Sequence, residues 1–264
     1  GVTAVDEVAL ARSLGLDVVV TDHHQPRADG VLPDAPIVHP ALGGYPCPDL
    51  CAAGVAYKLA AALLEDSGRD PADADRDLDV VALATVADCV PLVGENRRLV
   101  REGLVALSRT TREGLRALMR ETETDPSALD EQTIGFRLAP RINAAGRVQR
   151  ADGAVELLLT EDPERARAIA QELGSANAER RHVETRILFE AEAQLAELGD
   201  QPAYVLAGDG WHPGVIGIVA SRIAERRHRP VVLIALDGES NWLEGALLIG
   251  VYLILGVSFF YLGA

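Results

Sequence analysis

Positive charge is what this sequence is short of: 25 Lys and Arg stand against 40 Asp and Glu, a formal net charge of -15. A generally basic surface is thereby excluded, so any nucleic acid bound here must be gripped by a local groove or through metal ions. Cysteine is scarce as well. Cys47, Cys51 and Cys89 are odd in number, and the first pair has the spacing of neither a zinc knuckle nor a Cys-x-x-Cys redox motif, which points to reduced thiols in a cytosolic protein. No charged, apolar, small-residue signal peptide opens the chain. Apolar residues, in contrast, make up 48% of the 264, enough to bury a sizeable core in one or two domains and to exclude a disordered chain.

The richest stretch is Asp17-Val-Val-Val-Thr-Asp-His-His24. Val18, Val19 and Val20 are consecutive β-branched residues, the pattern of a strand buried on both faces of a parallel sheet, and ligands in such sheets sit beyond the carboxyl ends of the strands. Asp22, His23 and His24 lie at that end. A carboxylate beside two imidazoles offers mixed oxygen and nitrogen ligation, which suits manganese, zinc or iron better than calcium. The bland alternative is an exposed turn whose histidines hydrogen-bond their neighbours. Upstream, Val5 to Leu14 has near-helical spacing and Gly15 closes it, the helix-then-strand half of a βαβ unit. Downstream, a loop with Pro26, Gly30, Pro33 and Pro36 precedes a short apolar stretch at Ile37 and Val38.

Ala52 to Leu64 reads as an Ala-rich helix, and the acidic run Asp70 to Asp79 as a solvated linker. Asp79 to Leu92 (DVVALATVADCVPL) is apolar apart from Thr85 and Asp88, and periodicity leaves helix or strand open. Asp88 is anomalous there: a buried carboxylate needs a cation or hydrogen bonds, unless it sits exposed as a helix cap before Pro91. Phe136 to Arg147 (FRLAPRINAAGR) gathers Arg137, Arg141 and Arg147 with Asn143 and Gly146. Guanidinium forks match phosphate oxygens, although the same arginines could pair with surplus carboxylates. Thr160 and Glu161-Asp162-Pro163 start a helix that runs to about Leu198, with Gly174 as a point of interruption, long enough for a strut between domains. Beyond it, Ala203 to Ala207, GWHPG at Gly210 to Gly214, Val215 to Arg226 and Val231 to Leu236 form a second, compact βαβ unit. Gly210, Gly214 and Gly217 let backbone approach a ligand, the helix N-terminus offers N–H groups to a phosphate, Trp211 could stack on a base, and His212 could contact the phosphate or cap the helix.

Taken together, TDHH (Thr21–His24), ATVADCVPL (Ala84–Leu92), RLAPRINAAGR (Arg137–Arg147) and GWHPGVIGIVASR (Gly210–Arg222) resemble the RecJ exonuclease branch of the DHH phosphoesterase family, from Gly1 to about Glu239. The resemblance implies an α/β fold. Its parts would be a parallel-sheet DHH domain at 1–158, lacking its first strands, a connecting helix at 159–199, and the start of a smaller α/β DHH-associated nucleic-acid-binding domain at 200–239. It also implies hydrolysis of single-stranded DNA from the 5′ end, in recombination and repair, with two divalent metals, manganese or magnesium. Carried over residue by residue, His23, His24 and Asp88 contribute to the metal site, and Asp22 orients a histidine or ligates directly. Arg141 and Asn143 bind the scissile or a neighbouring phosphate, and Trp211 with His212 positions the strand. Two rival readings are a DHH phosphoesterase for short oligonucleotides or cyclic dinucleotides, and a non-catalytic module that holds single-stranded DNA.

Two departures from the family pattern stand out. The family carries further metal-binding aspartates upstream of its DHH segment, and Gly1 matches the glycine that follows them, so the expectation is a fragment with little nuclease activity of its own. At the other end, GALLIGVYLILGVSFFYLGA (245–264) has no charged residue and is long enough to cross a bilayer as a helix. With the preceding stretch from Asp237 it resembles the final membrane helix of calcium/proton antiporters. A chimera of two unrelated coding sequences fits this junction better than a natural membrane-tethered nuclease. Were the segment natural, 240–264 would bring a membrane association, with Arg226, Arg227 and Arg229 favouring a cytoplasmic soluble part.

Overall fold

The computed structural model describes residues 1–148 and 152–236. The first elements are α1 (Val5–Ser13), β1 (Val20–Thr21), β2 (Ile37–Val38), α2 (Ala52–Asp66), a 3-10 turn (Pro71–Asp77) and α3 (Leu78–Ala87). Then come α4 (Gly94–Ser108), α5 (Glu113–Glu121), the single turn α6 (Glu131–Thr133), a π-helical turn (Ile134–Leu138), α7 (Ala139–Val148) and α8 (Asp152–Leu159). The last are α9 (Pro163–Leu198), β3 (Tyr204–Asp209), α10 (Pro213–Arg227) and β4 (Val231–Leu236). This is the expected α/β class with parallel pairing. β1 and β2 pair in parallel, as do β3 and β4. The described residues fall into two compact units, Gly1–Asn177 and the part from Ala178 onward, the division lying inside α9.

In the first unit α3 is the central element. Its sequence is apolar on every face, as suits a helix surrounded by protein, and Leu78, Val81, Ala82, Leu83 and Thr85 are all buried. One side packs with Leu107, Leu115, Leu118, Ile134 and Leu138. The other meets Leu50, Val55 and Leu99. Gly103 makes the α3–α4 contact close: a Cβ there would lie 2.3 Å from the Leu78 carbonyl oxygen and 2.4 Å from the Ala82 Cβ. The ambiguous run from Asp79 is therefore helix, and Asp88 is its C-cap residue.

Several expectations are corrected. The three-valine strand is only two residues long, Val20–Thr21, and Val19 is 61% exposed rather than buried; β1 pairs with β2 alone among the described strands, so one valine, Val20, faces the core. In the acidic run Asp70, Asp73 and Asp75 are exposed, as expected of a solvated segment, and Asp79 is the exception. Asp70 caps the 3-10 turn, and Asp79 is buried, accepting from the Thr110 hydroxyl at 2.6 Å, the Val80 amide at 2.8 Å and Arg112 Nε at 3.3 Å. Those three donors replace the water that a buried carboxylate loses. At the start of α9 the Asp162 carboxylate, not Thr160, accepts from the Glu164 amide. Gly174 does not interrupt α9; a Cβ there would meet the end of the Glu121 side chain, Oε1 at 2.7 Å.

In the second unit, β3 and β4 run in register from Tyr204↔Val231 to Asp209↔Leu236 and cover Ile187, Ala191 and Leu195 of α9 together with Val215, Val219 and Ile223 of α10. No helix among the described residues is long and apolar enough to cross a membrane. The apolar run 245–264, and with it the expected C-terminal helix and antiporter resemblance, lies outside the described residues.

Candidate metal and phosphodiester site

The site forms where β1 ends. Asp22 follows Thr21 directly, and its amide donates to the Val38 carbonyl at 3.1 Å, so the parallel ladder delivers it to the carboxyl edge of the sheet. Its buried carboxylate is an acceptor for four groups: the amides of Val2 at 2.5 Å, His23 at 2.8 Å and His24 at 3.1 Å, and His24 Nδ1 at 2.7 Å. Burial raises the carboxyl pKa, but those hydrogen bonds outweigh it and hold the group below the usual carboxylate range. Because a carboxylate can only accept, His24 carries its proton on Nδ1. Its ring, 72% exposed, therefore presents the lone pair of Nε2 outward. Of the two roles open to Asp22, orienting a histidine is the one this geometry serves.

His23 turns the other way. Its Nε2 lies 3.4 Å from the Asp88 carboxylate, whose side chain is 41% exposed at the end of α3. Asp88 is thus neither entombed nor an idle cap: α3 ends there, Cys89 takes φ 56°, and the carboxylate is left facing the histidine. The two imidazoles are tilted, with ring centroids 4.3 Å apart. A cleft of about 410 Å³ brings His23, His24, Asp88 and Asn143 together over an apolar floor that includes Leu83 and Ile142. Among the described residues no group of three or more His, Cys, Asp or Glu forms a metal cage. Two imidazole rings and one carboxylate nonetheless border the same cleft, nitrogen and oxygen groups of the kind that manganese accepts.

The arginine segment divides. Asn143 reaches the cleft. Arg137 is exposed, and its Nη2 donates to the carbonyls of Thr122 and Glu123. These belong to the frayed end of α5, where a cation also complements the helix dipole. Arg141 donates to the Arg137 carbonyl at 2.6 Å, and the Arg147 side chain lies outside the described residues.

In the second unit the GWHPG turn is corrected more sharply. Trp211 is 2% exposed, donates from Nε1 to Glu190 at 2.6 Å and lies so close to Gly208 that a Cβ there would enter the indole. It is a core residue, with no open face for a base. His212 caps α10, its Nδ1 accepting from the Gly214 amide at 3.1 Å. That bond occupies the Gly214 N–H expected for a phosphate, and leaves His212 only Nε2 for one. Gly217 has open space where a Cβ would go.

His39 escaped the sequence reading. It follows β2 as Asp22 follows β1, is buried, and its Nε2 lies 2.9 Å from the His24 carbonyl oxygen. The signal was present: Ile37-Val38-His39 repeats the strand-then-histidine pattern of Val20 to His23.

The same architecture recurs in known proteins. Residues 1–85 match the DHH family, N-terminal domain. The single-stranded-DNA-specific exonuclease RecJ of Bacillus subtilis (strain 168) is 44% identical over 250 residues, covering 93% of this chain and 31% of that protein. The crystal structure of RecJ in complex with Mn2+ from Thermus thermophilus superposes with a TM-score of 0.79 at 40% identity, over 89% of this chain and 35% of that one. A crystal structure of exonuclease RecJ bound to manganese gives 0.76 at 40% identity, over 89% of this chain and 59% of its own. The chain spans less than half the length of the curated relatives it matches, between 31% and 45%. It carries a DHH-family domain and is a homologue of the RecJ exonucleases along about nine-tenths of its length.

Proposed function

We propose that this chain is the DHH portion and adjoining strand-binding portion of a metal-dependent single-stranded-DNA exonuclease, cutting from the 5′ end in recombination and repair. The observation that carries the reading is the cleft in which His23, His24, Asp88 and Asn143 meet. His23 Nε2, His24 Nε2 and the Asp88 carboxylate would hold divalent manganese or magnesium. When bound, such ions polarise the phosphoryl group and activate a water for in-line displacement. The protein's own part is to aim these donors. Asp22 keeps the His24 proton on Nδ1, the end of α3 presents Asp88, and the Asn143 amide would donate to a phosphate oxygen. Arg141 remains the cation nearest in sequence to Asn143 and is assigned to a neighbouring phosphate. The relatives' names and the manganese and magnesium complexes of RecJ support the substrate and the metal. In this proposal residues 1–158 are catalytic, 159–199 connect, 200–239 begin the strand-binding domain, and the protein works in the cytoplasm.

The test compares Mn2+-dependent release of nucleotides from a long single strand and from di- and cyclic dinucleotides, alongside Mn2+ binding. The proposal expects Mn2+ uptake that His23→Ala and Asp88→Ala reduce, and a preference for the long strand. Preference for dinucleotides would favour the small-substrate phosphoesterase instead. Strand binding that is sensitive to salt but indifferent to metal would favour a non-catalytic module.

A further inference from the structure

We infer that His39 is a positioning residue that fixes the His23–His24 backbone from the neighbouring strand; the inference rests on the reading of those two histidines as metal donors. The Leu42 amide donates to His39 Nδ1 at 3.3 Å, so Nδ1 holds the lone pair and the proton sits on Nε2. Nε2–H therefore donates to the His24 carbonyl at 2.9 Å. Because Thr21 pairs with Val38, the residues that follow, Asp22 and His39, lie side by side at the same edge of the sheet.

The tether has a rigid mount. The Gly43 amide donates to the His39 carbonyl at 2.8 Å and the Tyr45 amide to Pro40 at 2.8 Å, closing a tight turn around the imidazole. A Cβ on Gly43 would lie 2.9 Å from that same carbonyl oxygen. Tyr45 then donates to Glu95 of α4 at 2.9 Å, and Glu95 is bound by Lys58 of α2 at 3.0 Å. A continuous chain of bonds thus runs from two helices through the turn and the His39 ring to the His24 carbonyl. Asp22 holds the amide side of the same dipeptide. The His23–His24 segment is gripped at both its amides and at the His24 carbonyl, which is the preorganisation that metal ligands need.

The experiment uses the whole chain with His39→Gln and His39→Asn. Gln can place an amide donor near the Nε2 position and keep the tether while giving up Leu42. Asn can place an acceptor near Nδ1 and keep Leu42 while giving up the tether. Hydrogen exchange of the His23 and His24 amides is read without metal, and Mn2+ affinity is read by titration. H39N should exchange about tenfold faster at both amides and bind Mn2+ about tenfold more weakly, the scale of one lost hydrogen bond. H39Q should stay within about twofold of wild type, with the two variants melting alike. H39N matching wild type in exchange, or H39Q as impaired as H39N, would overturn the inference. Should wild type take up no Mn2+, the metal reading fails on its own, and the exchange rates still decide the tether.

Discussion

Replacing Gly103 with alanine tests the placement of α3, the helix that presents Asp88. A Cβ at position 103 would stand 2.3 Å from the Leu78 carbonyl oxygen and 2.4 Å from the Ala82 Cβ. Carbon–carbon contacts relax only near 3.5 to 4.0 Å, so α4 must retreat by about 1 Å or tilt. Backbone forms one wall and a Cβ the other, and neither can swing aside as the end of a long side chain would. Overpacking of this kind costs roughly 1–3 kcal/mol, here the upper part of the range, about 2–3 kcal/mol, because both walls are rigid, and the better helix propensity of alanine returns about 1 kcal/mol. The net expectation is a loss of about 1–2 kcal/mol. For a unit of this size that lowers the melting temperature by roughly 2–8 °C. Because α3 ends at Asp88, G103A should also weaken Mn2+ uptake through the 3.4 Å His23–Asp88 approach. Calorimetry of the full chain, with Mn2+ titration beside it, reads both. A variant as stable as wild type, or more so, would refute the close α3–α4 packing.

Other positions give independent checks. Gly217→Ala adds a methyl into open space inside α10 and should stabilise the second unit by about 0.5–1 kcal/mol; reduced strand binding in that stabilised variant would show that a ligand needs the bare backbone, and no stabilisation would contradict the helix geometry. Trp211→Ala should cost roughly 3–5 kcal/mol as a core truncation, measured by urea unfolding; weakened strand binding with stability unchanged would mean the indole is a stacking surface after all. Burial raises the Glu95 carboxyl pKa, but Lys58, Tyr45 and Arg98 lower it further, to a net depression below 4.5. Its contribution is therefore present above pH 4.5 and lost as pH falls through the depressed value. Glu95→Gln should cost about 1 kcal/mol at pH 7 for this partly buried group, and the gap from wild type should close in acid; a gap that widens below pH 4.5 would contradict the assignment.

How far the sequence could be read depended on what each pattern reports. Spacing of apolar residues reports burial, so α1, α2 and the second βαβ unit were legible to within a few residues. The valine run overstated its strand because three β-branched residues cannot say how many neighbours a strand has. Partner identity is not a periodic property. Nothing in the local sequence around Asp79 names Thr110 or Arg112, and nothing in FRLAPR says that Arg137 will donate to the carbonyls at the end of α5. Trp211 misled for a related reason: a lone tryptophan in a glycine-rich turn is equally consistent with a stacking platform and with a core plug, and Gly208 and Glu190, which decide the matter, lie in other elements. The His23, His24 and Asp88 constellation was legible only because four motifs occurred together in order. His39 was hidden because its role passes through a backbone carbonyl, which no side-chain motif records.

The central claim is that His23 and Asp88 face each other as donors to one divalent metal. Titrating Mn2+ into the wild-type chain, His23→Ala, Asp88→Ala and the double variant tests it most directly, by water-proton relaxation or Mn2+ paramagnetic resonance, with melting temperatures as a check on folding. The account predicts uptake by wild type, a clear loss in each single variant, and little further loss in the double variant, since both donors serve one ion. Equal uptake by all four proteins, or single losses that simply add, would contradict it.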